Sequence, residues 1–520
     1  MLFAAAVLLG APGCQKGDSQ LPDYEDMSTG EALSHEMIVL GKKLDDPYSV
    51  SNMTKALSSL YPTKAITTLT PTDVYVRFLP KSEEEYDRLC GMGIEMLDHP
   101  LDYQIIRDGD YYHDPLIADD SMTWQYAVVP HGFALPKDIT HEILDDCFIS
   151  DHAATKASDI DWEAVERESF RMTGNGDLVL PQTKAGGECP KGRITIVDEN
   201  YAGGKPFGVA GVKVVVNTFV KFASAYTDRD GYYEISKRYS SNIRYRLLFT
   251  NSSGFSIGFN AILIPASMST LGKSSPSGLD AQISRESERK LFCRCVVNNA
   301  AYDYISRCTE EDMGISRPPM DLRIWIFQGL NSSSTVMLHH GTLLGESIFS
   351  KYLGNYSSLL AVFLPDITIG AKDHNDYASL YSDTVHELAH ASHFAQVGLK
   401  FWNSYIWYII NSFIATGKTD YGDGTGDGAG ICEIGEMWGY FMQNLMFNDR
   451  YGGTMPTAGQ VWWFKPQILR YLHDRGLSRS DIYAALVADV TDRGKLRDKL
   501  ISLYPDRRAI IEQVFTRYAE

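Results

Sequence analysis

From Gly192 onward the apolar residues fall into short runs, "GRITIVD", "GVAGVKVVVNT", "FASAYTDRDGYYEISK" and "YRLLFTNSSGFSIGF", whereas "YSDTVHELAHASHF" from Tyr381 spaces them by three and four. No single element satisfies both periods, because side chains alternate every two residues in a strand and every 3.6 in a helix. The first stretch predicts strands of five to eight residues recurring about every ten to twelve, with Asp-Gly and Gly-Val punctuation, which is the pattern of a β-sandwich. The second predicts a helix. At 520 residues the chain exceeds one ordinary core, so about two to four domains are expected.

The remaining texture divides the chain further. Residues 15–70 are polar, with "DPYSVSNMT" and "YPTK" as turn signals, and predict a tether followed by short helices. Residues 71–185 predict an α+β module. Strands are expected at "DVYVRFLP", "YQIIR" and "WQYAVVP", and "SEEEYDRLCGMGIEML" combines a capping serine with glutamates in a first helical turn. The sandwich occupies 186–270, and the Ser, Gly and Pro-rich "IPASMSTLGKSSPSGLD" is expected to be a loop or linker. Residues 281–520 form a third domain, with strands at "DLRIWIFQ" and "LLAVFLPDITI" preceding a mainly helical part. The fold class is therefore multidomain α+β.

The first dozen residues of "MLFAAAVLLGAPGCQKGDSQ" are apolar, a length that suits the core of an export signal and is too short to span a bilayer. With the polar run after Cys14, this start resembles the signal of Bacteroidetes-type surface lipoproteins. The resemblance implies a lipid on Cys14, residues 1–14 as the signal, and a mature protein anchored in the outer membrane or at the cell surface of a Gram-negative bacterium. An ordinary cleaved signal is the alternative. Among the seven other cysteines an exported protein lets some pair, and an odd count leaves at least one free. The net charge of −18 excludes nucleic acid as a partner, since phosphate binding needs concentrated Lys and Arg.

In "HELAH", His386 and His390 lie four residues apart and so one above the other on a helix, where two imidazoles can aim at one ion. Zinc takes such nitrogen donors in a tetrahedral shell and, in catalytic sites, keeps one position for water. Glu387 follows the first donor and flanks that position, where a carboxylate can take a proton from water and pass it to a leaving amine. Asn375 or Ser382 is expected to cap the helix start and Gly398 its end. His393 lies in line with the other two histidines. Three donors on one straight helix do not surround an ion, so His393 is either a residue beside the site or a surface histidine.

A third donor must then come from elsewhere, and "AGICEIGEMWGYFMQNL", some forty-five residues downstream, offers Glu433 and Glu436. The two segments together resemble the gluzincins, zinc peptidases whose third ligand is a glutamate on a helix packed against the "HExxH" helix. The resemblance implies Glu436 as ligand, with Gly439 as the small residue three positions later. Glu433 is the alternative ligand or a hydrogen-bond acceptor for a ligand histidine. Gluzincins also stabilise the oxyanion with a Tyr or His from the helical part, for which Tyr451, Tyr471 and His473 are candidates. In "YGDGTGDGAG", Asp423 and Asp427 offer a possible Ca2+ loop, with a surface loop as the simpler reading.

The β-rich stretch, with "GVKVVV" followed by "AYTDRDGYYEI", resembles the carboxypeptidase-regulatory-like or prealbumin-like sandwich, which implies a structural or docking module. The sequence thus leads to a cell-envelope metallopeptidase carrying one Zn2+ per chain, acting on a peptide or protein substrate, with Glu387 activating water. The alternative is a non-catalytic surface lipoprotein that binds glycan or peptide and keeps a structural or vestigial zinc site.

Overall fold

A computed structural model describes residues 37–63, 68–118, 121–152, 160–179, 187–258, 266–309, 313–329, 332–342, 365–416, 421–453 and 463–518. Cys14 and the export signal lie outside the described residues. The chain is mixed α/β, with ten α-helices and four sheets among these residues. No described helix is long and apolar enough to cross a membrane.

In the N-terminal part, Asp73–Leu79 lies between Gln125–Pro130 and Thr140–Cys147, with Met96–Leu97 beyond, all antiparallel. One face of this sheet buries Val74, Val76 and Phe78 against Leu89 of the Glu83–Gly91 helix. That helix starts as its sequence implies: Ser82 accepts the Glu85 N–H, and Glu83, Glu84 and Glu85 fill the first turn, where the helix dipole favours negative charge. The other face places Tyr75 and Tyr126 with Phe219, Val220 and Met268 from further along the chain, so it is covered by protein. Before it, Val50–Leu60 is a helix, but Val39–Lys43, expected as tether, is a strand paired with Tyr103–Arg107.

The predicted strands after Gly192 all form, but they divide between two sheets. Lys191–Ile196 pairs with Tyr232–Glu234, Phe207–Gly208 and Ala281–Ile283 in the smaller one. The larger, eight-stranded sheet runs Lys221–Tyr226, Val212–Thr218, Ile243–Asn251, Phe255–Gly258, Leu322–Phe327, Ile367–Gly370, Ser334–Thr335. Met268–Ser274 also pairs with Ile243–Asn251. That strand corrects the expectation of a linker over these residues: Ser, Thr and Gly give little strand propensity, and the pairing partner overrides it. Phe255–Gly258 pairs in parallel with Leu322–Phe327, so hydrogen bonding continues from the β-rich stretch into the region that begins at 281. Of "LLAVFLPDITI", Ile367–Gly370 is a strand and 359–364 lie outside the described residues.

Arg289–Thr309 is a 21-residue helix that the sequence patterning does not reveal. Residues 292–301 are buried all round, Arg294, Asn298 and Asn299 together with the apolar side chains, and a segment buried on every side shows no apolar stripe. One core, from Ile194 in the smaller sheet to Phe515 near the C-terminus, contains residues of both sheets and the helices around them. All seven described cysteines are free.

Candidate metal centre

The motif helix, Tyr377–Thr416, is broken at Gly398, whose φ of 75° and ψ of 176° suit a residue without Cβ. Its start is capped by Asp376, whose carboxylate accepts the Ser379 N–H at 2.8 Å, and not by the expected Asn375 or Ser382. After the break, the chain turns Phe401, Trp402 and Tyr405 back against the histidines, with the Trp402 and Tyr405 rings 6.0 and 5.9 Å from that of His390. The facing helix, Ala429–Tyr451, packs alongside, and the Trp438 indole donates to the Ala389 carbonyl at 3.1 Å.

His386, His390 and Glu436 meet between these helices. Their nitrogen and oxygen donors lie within 4.8 Å of one another, and all three residues are buried. The two Nε2 atoms are 2.9 Å apart, and the Glu436 carboxylate approaches them at 3.5 and 3.7 Å. Two imidazoles and a carboxylate on one point could hold a metal ion, and this is the one such group among the described residues. The close approach depends on Gly439: a Cβ there would come within 2.6 Å of His386 Nε2 and 3.0 Å of His390 Cε1.

The surroundings set the charges. Burial drives His390 down to about 3, with the Glu436 charge opposing, so it stays neutral with Nε2 facing the other donors. Burial also lowers His386, but the hydrogen bond and charge of Glu436 outweigh it and hold His386 above the ordinary histidine value. Glu436 is held below the usual carboxylate range: burial pushes it up, and the two histidines and the Tyr405 hydroxyl, which donates to it, more than compensate.

A second layer orients His386. Its Nδ1 faces Gln443 Oε1 at 3.3 Å, Gln443 Nε2 donates to Asp383 at 3.1 Å, and Asp383 pairs with His374 at 2.9 Å. An amide that donates to a carboxylate must turn its oxygen the other way, so this chain places the His386 proton on Nδ1 and leaves Nε2 as the donor atom.

Glu387 is 1% exposed, and burial pushes its carboxyl up to about 8. Thr335 Oγ1 lies 2.8 Å from both its Oε2 and its backbone carbonyl. Thr335 stands on Ser334–Thr335, the outermost strand of the eight-stranded sheet, antiparallel to Ile367–Gly370.

Other candidates fall elsewhere. Glu433 makes an ion pair with Arg493 at 2.6 Å. His393 is fully buried beside Phe401 and Trp402, which corrects the surface alternative, and burial pushes it down to about 3. Tyr451 donates to Asp198 at 2.7 Å, Tyr471 stacks on Tyr518, and His473 Nδ1 lies 3.1 Å from the Leu477 carbonyl. Asp423 accepts from the Thr425 N–H and hydroxyl within its own loop, and no group of three metal-ligating side chains among the described residues includes Asp423 or Asp427. Two tyrosines that the sequence did not single out stand at the site, Tyr405 on Glu436 and Tyr440 with its ring 4.7 Å from that of His386. Neither carries a motif, and only the Gly398 break brings Tyr405 back. No protein-family model and no curated protein matches this chain.

Proposed function

We propose that the chain is a zinc-dependent peptidase of gluzincin type. The observation that carries this reading is the donor set: His386, His390 and Glu436 with separations of 2.9, 3.5 and 3.7 Å. Bonds of about 2.0–2.1 Å in a tetrahedral shell imply donor edges of about 3.3 Å, which these distances bracket. Zinc held there supplies Lewis acidity to a peptide carbonyl.

The protein's own residues supply the proton chemistry. Glu387, the neighbour of one ligand, is anchored through one carboxylate oxygen by Thr335. A cation beside a buried carboxyl favours its ionised form, the form that can take a proton from water and return it to the leaving nitrogen. Ser334–Thr335 pairs on one side only among the described strands, and an extended peptide can add along such an edge. The proposal includes export and lipid attachment at Cys14, testable by mass spectrometry of the N-terminal peptide from native membranes.

A structural metal site is the second reading. What favours it is burial, with His386, Glu387, His390 and Glu436 at 0, 1, 3 and 1% exposed. Metal analysis beside a peptide-library digest separates the two. The peptidase reading expects one zinc per chain, lost in His386→Ala, and a Glu387→Gln variant that keeps zinc but hydrolyses about a hundredfold more slowly or worse. Full zinc with no cleavage of any peptide by the parent protein leaves the structural reading. Stoichiometric zinc in His386→Ala removes the motif from both.

A further inference from the structure

In Ile243–Asn251 side chains alternate between two faces: Tyr245 and Leu247 join the main core, whereas Arg244 and Arg246 point the other way, toward the N-terminal part. The row of Arg244 continues across the sheet to Asn217 on one neighbouring strand and Lys273 on the other. Residues between His99 and Ile105 supply the opposite wall, and a cavity of about 180 Å³ lies between. We propose that this cavity is an anion site that takes a phosphate group, either free or at the end of a small phosphomonoester.

Charge is the first support. Arg244, Arg246 and Lys273 line the cavity, and no Asp or Glu does among the described residues. Arg244 is committed to Asp108. Arg246 is 1% exposed and makes no ion pair among the described residues: Nη1 donates to Asn217 Oδ1 at 2.9 Å, Nη2 donates to His99 Nε2 at 3.2 Å, and Nε has no partner. The acid behind it, Asp98, is one ring away, accepting from His99 Nδ1 at 2.8 Å. Lys273, exposed at the rim, makes neither a hydrogen bond nor an ion pair among the described residues. Burial and the Arg244 charge push Arg246 down to about 9, against Asp108 and Asp98, and they also lower Lys273, against Asp177 and Asp108. A guanidinium taken out of water without a counter-charge in contact is a costly arrangement, which a bound anion offsets.

The second support is size and the remaining donors. The volume lies below the roughly 300–1,000 Å³ of sites that enclose a whole drug-sized ligand, and suits one tetrahedral group with any ester end in the opening. The Thr218 hydroxyl and the Asn242 amide line the same space, and neither makes a hydrogen bond among the described residues. Of the three cations, Arg246 and Lys273 have no carboxylate in direct contact, so a dianion matches the wall better than a single carboxylate does.

The test is equilibrium binding to the full chain by calorimetry at constant ionic strength. The probes are inorganic phosphate, glycerol 2-phosphate and acetate. One of the two phosphates or both should bind, the tighter naming the source, and acetate should bind at least about tenfold more weakly. Lys273→Glu should lose at least about tenfold for phosphate, whereas Lys205→Glu, the same charge change at an exposed position outside the cavity wall, should not. His386→Ala should bind phosphate as the parent does, which separates this cavity from the metal centre, and thermal transitions confirm that the variants are folded. No binding of either phosphate, equal binding by folded Lys273→Glu, or loss of binding in folded His386→Ala overturns the proposal. Acetate bound as tightly, with the same dependence on Lys273, overturns it in favour of a carboxylate.

Discussion

Glu433 and Glu436 are one turn apart on the same helix, and the difference between them is what each finds across the gap. Glu436 meets two imidazoles and a tyrosine hydroxyl, whereas Glu433 meets the Arg493 guanidinium, 24% exposed. Glu436→Ala should therefore abolish metal binding in a titration followed by elemental analysis. Glu433→Ala should keep the metal and lower the unfolding free energy, read by denaturant titration, by about 1–2 kcal/mol, the worth of a partly exposed pair whose carboxylate is buried. Asp46 illustrates a different cost. Burial raises its carboxyl to about 8, and only Oδ1 is satisfied, by the Tyr48 N–H at 2.9 Å, while Oδ2 has no hydrogen-bond partner among the described residues. The folded chain prefers this group protonated, so its contribution is fully present below the unfolded value of 3.8 and is lost as the pH rises to about 8. Asp46→Asn should flatten that decline, and thermal unfolding of parent and variant between pH 4 and 9 reads the difference.

Among the elements, the pair of site helices is held at a separation that only glycine permits. A methyl group at position 439 would lie 2.6 and 2.7 Å from His386 Nε2 and Cε1, so Gly439→Ala must push either the ring or the helix aside. The cost should be about 1–3 kcal/mol, the range for overpacking. Because the displaced atom is a donor, metal affinity should fall further than a purely structural loss explains. Metal titration of the folded variant, set against its melting temperature, distinguishes the two. Gly398 acts in the opposite sense: its positive φ ends the straight run after His393 and lets the next segment fold back over the site.

Across the whole molecule the sheets tie the parts together. Leu322–Phe327 is buried along its entire length and takes one neighbour, Phe255–Gly258, from the β-rich stretch. The N-terminal part is fastened too, through Glu166 to Lys221 at 3.1 Å with both side chains almost fully buried, and through the Glu83 to Arg323 pair. A fragment comprising residues 281–520 alone should therefore lack a cooperative thermal transition and expose apolar surface to a hydrophobic dye. The full chain should melt cooperatively, and a sharp transition in the fragment would mean that the shared sheet is dispensable.

What the sequence determined on its own is local. His386 and His390 share a helix face because four residues make about one turn, and Ser82 caps its helix because the donor it satisfies is three residues away. The strands at Asp73–Leu79 and Val212–Thr218 follow from runs of apolar residues that need no distant partner to be read. Tertiary structure decided whatever depends on what lies opposite. Glu436 and Glu433 are alike until Arg493, some sixty residues on, takes one of them. His393 is interior because Phe401 and Trp402 return after the Gly398 break. Met268–Ser274 becomes a strand only because Ile243–Asn251 offers it an edge. The Arg289–Thr309 helix leaves no stripe because protein covers its residues 292–301 on every side, the polar Arg294, Asn298 and Asn299 included. Hydrogen-bond partners and burial are properties of pairs of segments, and local periodicity carries no record of the second segment.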